Sequence, residues 1–322
     1  MEGDHLLEIK GLNVEFIGAN STVKAVDDVD LCINARECVA LIGESGSGKS
    51  TIANAVLRIL SENAFIRGGQ ILFKGRNLLQ LKERDMREVR RMEISMIFQD
   101  PHSFLNPVLK IGSQLEETVK THRRNLDRKK VTQRAIELLS IVNIPDPEKI
   151  LNRYPHQLSG GMAQRVAIAL ALSANPALVI ADEPTSALDL TIQAQMLMLM
   201  KGLRDLFDLS ILLVTHDLSL VSNMAERVYV MYAGQMVEED GMESLYRDPR
   251  HPYSFMLLEA VKKLQGKQAS SPSAEEGSRD SSESGCRFFP RCPRAVPICK
   301  ERPPEYHRFP SGKRVRCIRP EQ

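Results

Sequence analysis

Hydrophobic residues recur along this chain with two different periods, one typical of strands and one typical of helices. Leu6 to Phe16 alternates apolar and polar positions, and Val29 to Ile33 and Cys38 to Ile42 are short apolar runs, so all three are predicted strands. The third leads through a glycine-rich turn into Thr51 to Leu60, whose periodicity predicts a helix. Further strands are predicted at Ile71 to Phe73, Ile94 to Phe98, Leu178 to Ala181, Ile211 to Thr215 and Val228 to Tyr232. This order of elements indicates a mixed α/β core.

The middle of the chain, from about residue 100 to residue 175, is predicted to be helical throughout. Asn175 and Pro176 end this part before the strands return. One predicted helix face contains Val131, Ala135, Leu138, Leu139 and Val142. We therefore predict an α/β domain over residues 1–266, with an all-helical insert at about 100–175.

Beyond residue 266 the composition changes twice. Residues 267–285 are rich in Ser, Glu and Gly and nearly lack apolar residues, which is typical of a flexible linker. Residues 286–322 contain four of the six cysteines. In a reducing compartment, such a cluster binds metal more often than it forms disulfides. We call residues 286–322 the tail and predict that its cysteines form a metal or iron–sulfur motif.

The overall composition excludes some classes of protein. A hydrophobic fraction of 43% supports a large buried core, and a net charge of +2 gives no electrostatic reason to expect nucleic acid as the main partner. No apolar run approaches the roughly 20 residues of a membrane-spanning helix. The N-terminus also lacks the basic-then-apolar pattern of a signal peptide. We expect a protein that stays in the cytosol and reaches a membrane only through partners.

Residues 43–50, the glycine turn, read Gly-Glu-Ser-Gly-Ser-Gly-Lys-Ser and fit the phosphate-binding pattern G-x-x-x-x-G-K-[ST]. Glycines let several backbone N–H groups point at one phosphate, and a helix N-terminus adds partial positive charge. Lys49 is predicted to bridge the β- and γ-phosphates, and Ser50 to ligate Mg²⁺. A chance glycine turn is the alternative, but the flanking strand and helix weigh against it. The nucleotide-binding residues predicted here are Gly43, Ser45, Gly46, Ser47, Gly48, Lys49, Ser50 and Thr51.

Two acids, Asp182 and Glu183, directly follow a predicted apolar strand. Ligands bind at strand ends in open α/β sheets, and unpaired buried charge is costly. Asp182 is suited to hold Mg²⁺, directly or through water, and Glu183 to act on the attacking water as a general base. A solvated strand end is the alternative interpretation, which the upstream phosphate-binding pattern disfavours.

The run from Leu158 to Met162, Leu-Ser-Gly-Gly-Met, resembles the ABC transporter signature when it is read with the glycine turn and the acid pair. Ser159 is a predicted N-cap for the helix that follows. In this family, Ser159, Gly160 and Gly161 would bind the γ-phosphate of a nucleotide that a second subunit holds. The resemblance therefore implies a head-to-tail pair of ATPases with two ATP molecules between them.

Other landmarks of that family follow in the expected order. Gln99 resembles the Q-loop glutamine, a Mg²⁺ and water sensor, and Ser186 to Asp189 resembles the D-loop. His216 resembles the switch histidine that bonds the γ-phosphate, and Phe16 the aromatic that stacks on adenine. From the residues alone, His216 could be an ordinary polar residue and Phe16 a core aromatic. The resemblance covers roughly residues 6 to 260 and implies a RecA-like core with an antiparallel β subdomain.

Four runs resemble one branch of the family, the ATPases of oligopeptide, dipeptide and nickel importers. They are Phe98 to Pro101, Leu105 to Pro107, Tyr154 to Met162 and His251 to Tyr253. Members of this branch carry a cysteine tail associated with a [4Fe–4S] cluster, which implies that role for Cys286, Cys292, Cys299 and Cys317. From the residues alone, four thiolates fit Zn²⁺ as well as a cluster, although the lack of a C-x₂-C pair argues mildly against an ordinary zinc ribbon.

The resemblance also implies partners. These are a second ATPase, identical or paralogous, two transmembrane permease subunits and, indirectly, an extracytoplasmic solute-binding protein. The segment at about 100–115 would receive a coupling helix, and the chain would sit peripherally on the cytoplasmic face of the membrane. We expect uptake of di- or oligopeptides, with nickel or another solute as the alternative. A non-transport ABC ATPase and a redox-responsive regulator are the competing hypotheses.

Overall fold

The structure is a computed structural model and describes residues 5–19, 21–123, 125–186, 188–264 and 285–320. Most of the predicted linker and Ala187 of the predicted D-loop lie outside the described residues. The strands are β1 (Leu7–Ile17), β2 (Thr22–Ile33), β3 (Cys38–Ile42), β4 (Ala64–Phe73), β5 (Arg76–Asn77), β6 (Ile94–Ile97), β7 (Leu178–Asp182), β8 (Ser210–Thr215), β9 (Arg227–Tyr232), β10 (Gln235–Gly241), β11 (Tyr306–Arg308) and β12 (Arg314–Arg316).

Helices of four to eighteen residues connect these strands. They are α1 (Lys49–Leu57), α2 (Glu83–Met92), α3 (Pro101–Phe104), α4 (Ile111–His122), α5 (Arg128–Ile141), α6 (Pro147–Ile150), α7 (Gly160–Leu172), α8 (Leu190–Phe207), α9 (Leu218–Val221), α10 (Met242–Arg247), α11 (Pro252–Leu264) and α12 (Ile298–Glu301), with 3₁₀ turns at Leu78–Gln80, Pro155–Gln157 and Phe289–Arg291. A search of the described residues finds no helix with the length and apolar character needed to cross a bilayer.

The chain divides into two compact units. The first comprises Met1–Ile33, Cys38–Leu79 and Val214–Gln322, and the second comprises Asn34–Glu37 and Gln80–Leu213. The glycine turn and the tail therefore belong to the first unit. The acid pair and the signature run belong to the second.

The first unit contains an antiparallel sheet in the order β2-β1-β4-β5. Buried and partly exposed positions alternate along much of β1, as expected for a strand with one face in the core. The same unit contains the run β11-β12-β10-β9-β3. In it, β3 and β9 are parallel, and all five residues of β3 are buried, which explains its unbroken apolar sequence.

The tail packs as an integral part of the first unit. Its strand β12 pairs antiparallel with β10, so that Val315 faces Glu238. Lys313, only 4% exposed, forms a 2.9 Å ion pair with the equally buried carboxylate of Asp240. Phe288 is 2% exposed. Burial of these groups requires that the tail pack as part of the same core.

The second unit contains parallel strands β6 and β7, with β8 next to β7. All five residues of β7 are buried. Between β6 and β7 the described residues form helices and turns, as the sequence predicts for about 100–175. The face predicted for α5 is also correct, because Val131, Ala135, Leu138 and Leu139 are buried. Where the domain boundaries fall stays a prediction.

Candidate nucleotide site

The glycine turn connects β3 to α1, as the sequence predicts. A Cβ atom on Gly43 would collide with the carbonyl oxygen of Met231. Gly48 has φ +105°, and a Cβ there would collide with the carbonyl oxygen of Ala25. Two of the glycines are therefore required both by backbone conformation and by the close approach of neighbouring strands.

Lys49 is folded back over the glycine turn. Its side chain is 4% exposed, and Nζ donates to the carbonyl oxygens of Gly43 and Glu44 at 2.8 Å each. Ser47 is also buried, and its Oγ has no hydrogen-bond partner among the described residues. Buried hydroxyls are rarely left unpaired, so this orphaned group fits a site that receives a polar ligand.

The remaining predicted residues of the first unit are placed as follows. Ser50 is exposed, and Thr51 is partly buried at the start of α1. Phe16 is partly exposed and lies in β1 between Val23 of β2 and Ala64 of β4. His216 is exposed directly after β8. The structure therefore leaves Ser50, Phe16 and His216 accessible to a ligand.

The acid pair lies at the end of β7 in the second unit. Asp182 is the last residue of that strand and is 9% exposed. Glu183 has φ +46°, an unusual conformation for a residue other than glycine and one found at functional sites. Gln99 Nε2 donates to Glu183 Oε2 at 3.0 Å. The structure thus joins two site residues, 84 positions apart, that the sequence predicts separately.

The predicted signature also has the expected local structure. Helix α7 begins at Gly160, and the Ser159 side chain accepts a hydrogen bond from Met162 N at 3.3 Å, so the predicted N-cap is confirmed. A Cβ on Gly161 would lie 3.1 Å from the Ile192 side chain. Asp189 of the predicted D-loop caps α8 by accepting from Ile192 N at 3.0 Å. The signature run and the D-loop are therefore neighbours.

Sequence reasoning missed the residues that support the glycine turn. Glu44 donates its backbone N–H to Tyr253 Oη at 2.9 Å, and its carboxylate pairs with both terminal nitrogens of Arg291, each at 2.9 Å. Gly234 N donates to Ser47 O at 2.9 Å. The run His251 to Tyr253 resembles a feature of the family branch, but no pattern in the sequence indicates that Tyr253 contacts the glycine turn.

The four tail cysteines are electrostatic neighbours. Burial, together with the neighbouring thiols of Cys292, Cys299 and Cys317, raises the pKa of Cys286 to about 11. Burial also raises the pKa values of Cys292 and Cys317. Cys286 N donates to Cys299 O at 2.8 Å, which holds two of these residues side by side. Across residues 285–320 and the other described ranges, however, no group of three or more His, Cys, Asp or Glu residues is arranged to hold a metal ion.

These features define a nucleotide-binding cassette of the P-loop type. Comparison with known proteins then identifies the family: the model of the ABC transporter family matches residues 26–186, and that of the oligopeptide/dipeptide transporter C-terminal region matches residues 237–299. The chain is 46% identical over 317 residues to the oligopeptide transport ATP-binding protein AppD of Bacillus subtilis, covering 97% of this chain and 96% of AppD. It is 40% identical over 321 residues to OppD of Escherichia coli, covering 99% of this chain and 94% of OppD.

Solved structures agree with this assignment. The dimeric structure of MJ0796, a bacterial ABC transporter cassette, has a TM-score of 0.66 and 28% identity, covering 73% of this chain and 98% of that one. The same cassette bound to ADP and Pi gives the same values. The chain belongs to the ABC transporter ATP-binding proteins, within the oligopeptide/dipeptide branch. It is an ABC ATPase, with ATP and Mg²⁺ as its nucleotide and cation, and the predicted fold class and family are confirmed.

Proposed function

We propose that this chain is the ATP-hydrolysing subunit of an importer of di- or oligopeptides. The observation that carries the proposal is the glycine turn with its buried Lys49, whose Nζ already lies against the loop that would receive phosphates. The matched oligopeptide/dipeptide C-terminal region and the names of the relatives support the peptide class. Nickel or another solute of the same branch is the alternative.

Each predicted site residue of the first unit would have a distinct role in nucleotide binding. The backbone N–H groups of the glycine turn would bind the phosphates, and the Lys49 ammonium would reach the β- and γ-phosphates. Ser50 would ligate Mg²⁺, and Thr51 the α-phosphate. Phe16 would stack on adenine, and His216 would hydrogen-bond the γ-phosphate.

Hydrolysis would depend on the second unit. Asp182 would hold Mg²⁺, and Glu183 would accept a proton from the attacking water. Gln99, which donates to the Glu183 carboxylate, would orient that base and sense the cation. The capped start of α7, with Ser159, Gly160 and Gly161, would bind the γ-phosphate on a second ATPase subunit, and Asp189 would lie at that contact.

The decisive experiment changes Glu183 to Gln. This variant keeps the shape and the hydrogen bond from Gln99 but removes the base, so hydrolysis should fall by at least about 100-fold while ATP binding persists. Phosphate release and nucleotide retention on a size-exclusion column measure the two effects. Glu137→Gln, an exposed change on α5, is the matched control and should leave turnover unchanged. Brisk hydrolysis by Glu183→Gln would remove Glu183 as the base.

The proposal includes partners. Two permease subunits and a second ATPase would form the transporter on the cytoplasmic face of the membrane, with a solute-binding protein outside. Residues at about 100–115 would receive a coupling helix, and Val108 and Phe104 there are 76% and 43% exposed. Co-purification of the chain with permease subunits, followed by uptake of labelled peptide into vesicles, tests this assembly against a non-transport ATPase.

We also propose that Cys286, Cys292, Cys299 and Cys317 hold a [4Fe–4S] cluster, with Zn²⁺ as the alternative. The hydrogen bond from Cys286 N to Cys299 O and the electrostatic influence of the other three thiols on Cys286 support this proposal. A cluster would cross-link the tail through four thiolates. Anaerobically purified protein should be brown and contain iron and sulfide. Colourless protein with stoichiometric zinc would reject the cluster.

A further inference from the structure

The glycine turn contains an acidic residue in a loop that must bind an anion. Glu44 is the second residue of the turn, and it lies between Gly43 and Ser45. A carboxylate beside a polyphosphate repels it, and the repulsion grows where the surroundings are less polar than water. A loop built this way needs a cation to offset Glu44.

Arg291 of the tail supplies that cation with near-ideal geometry. Its two terminal nitrogens each lie 2.9 Å from a different oxygen of the Glu44 carboxylate, the bidentate arrangement that makes arginine–carboxylate pairs strong. The two residues are 247 positions apart. Pairing with Glu44 also raises the pKa of Arg291, so this charge is permanent.

The arginine is held in place by aromatic rings of the first unit. Its guanidinium lies 5.6 Å from the ring centre of Tyr232 and 5.9 Å from that of buried Phe288. The ring centres of Tyr232 and Tyr253 are 4.8 Å apart, and Tyr253 Oη accepts the Glu44 backbone N–H. Tyr253 thus binds the backbone of Glu44, and Arg291, which packs in the same aromatic cluster, binds its side chain.

A second tail arginine contacts residues that adjoin the turn. Arg287 pairs with Asp27 at 2.6 Å and donates to the carbonyl oxygen of Ala233. The next residue, Gly234, donates its N–H to Ser47 O. The tail therefore braces both the start and the middle of the glycine turn.

We propose that Arg291 is a positioning residue of the nucleotide site, which neutralises Glu44 so that the glycine turn accepts polyphosphate. This deepens the proposed function and rests on ATP binding at the turn. Loss of the charge at position 291 leaves Glu44 as an uncompensated anion beside the phosphates. The defect is electrostatic, so removal of the Glu44 charge must correct it.

The test measures the dissociation constant of a fluorescent ATP analogue with Mg²⁺ for the full chain and four variants. Arg291→Gln should bind about tenfold more weakly, and Arg291→Lys, which keeps the charge, within about threefold of the native chain. The double variant Glu44→Gln/Arg291→Gln should regain native affinity within about twofold. Arg302→Ala, a tail arginine with a 65% exposed side chain, is the control and should bind normally. The deficit of Arg291→Gln should also shrink as salt rises.

Several outcomes would overturn the proposal. Native affinity in Arg291→Gln would show that the pair is irrelevant to nucleotide binding. A deficit that Glu44→Gln does not repair would show a packing role instead. If Arg291→Gln fails to fold, Arg291→Lys provides the test. A tenfold loss of affinity for the analogue in Arg291→Lys would reject the idea that Arg291 acts by neutralising Glu44. Failure of the native chain itself to bind the analogue would instead refute the proposed function, on which this inference depends.

Discussion

The glycine turn and the tail belong to the same compact unit, yet they differ in how the sequence encodes them. The turn is eight consecutive residues between a buried strand and a helix, and neighbouring backbone leaves no room for a Cβ atom at Gly43 or Gly48. The tail begins some 240 residues later and meets the turn through single side chains such as Arg291. The motif of a phosphate-binding loop can thus be contiguous in sequence, while the residues that balance its charge and hold it in place come from a distant part of the chain.

The largest effect is expected from Lys49→Ala, which tests whether the glycine turn itself binds nucleotide. The change removes the one charged side chain buried in the glycine turn, so ATP affinity should fall by about 4 kcal/mol, or roughly 1,000-fold. Calorimetric titration with ATP and Mg²⁺ measures the loss. Lys149→Ala, whose native side chain is 74% exposed, is the control. Unchanged affinity in Lys49→Ala would mean that the motif is not a nucleotide cradle.

The next test asks whether the tail is core or appendage. Phe288→Ala should lower the free energy of unfolding by about 3 kcal/mol, because it leaves a cavity among Tyr232, Tyr253 and His251. Urea unfolding of the full chain measures the change. Phe65→Ala removes a ring that is 42% exposed and should cost less than about 1 kcal/mol. Equal losses of free energy of unfolding in the two variants would show that the tail does not pack as part of the core.

The smallest effect concerns His251, the buried residue that precedes α11. Burial lowers its pKa to about 3, and its Nδ1 accepts a hydrogen bond from Tyr253 N at 3.1 Å. Below its ordinary pKa of 6.5, the unfolded chain takes up a proton that the folded chain refuses, so stability falls as the pH drops from 6.5 toward 3. Between pH 7 and pH 5 this group alone should cost about 2 kcal/mol.

His251→Asn keeps an acceptor at the helix start but removes the titration, so its stability should fall by about 2 kcal/mol less over the same interval. The Glu238 carboxylate accepts a hydrogen bond from the backbone N–H of residue 251, and burial raises the pKa of Glu238. This raised pKa makes stability increase as the pH falls, but it does so in both proteins and therefore cancels from the comparison. Urea unfolding at the two pH values supplies the measurement. Parallel losses in the two proteins would contradict a buried neutral histidine.

The parts of the fold that could be predicted are those with a clean hydrophobic period. Strand β3 matches its prediction at both ends because every residue in it is buried. Strand β2 extends back to Thr22, beyond the predicted Val29, because its first residues are exposed at the edge of a sheet and carry little apolar signal. Helix α1 begins at Lys49, earlier than predicted, inside a stretch assigned to phosphate binding.

Strand β10 escaped prediction for a different reason. It buries Glu238 and Asp240, which polarity alone would place on a surface. Their partners, the backbone N–H groups of Arg250 and His251 and the ammonium of Lys313, come from other elements. Buried charge that is satisfied across the fold is invisible to a hydrophobic pattern.

The site divides in the same way. Lys49 and Asp182 could be predicted as site residues because each lies beside a buried strand in a recognisable run. The hydrogen bond between Gln99 and Glu183 follows from strands β6 and β7 being parallel neighbours, a pairing that the sequence does not state. The pair of Glu44 and Arg291 has no sequence signal beyond an arginine next to a cysteine.

The separation of Glu44 and Arg291 has a consequence for biosynthesis. A ribosome completes the glycine turn long before it makes position 291, so Glu44 lacks this counter-charge until the tail has been made. Under the proposed role of Arg291, the chain reaches its full affinity for nucleotide only after the tail has been synthesised. Fragments released early lack this neutralising arginine and should be poor competitors for cellular ATP.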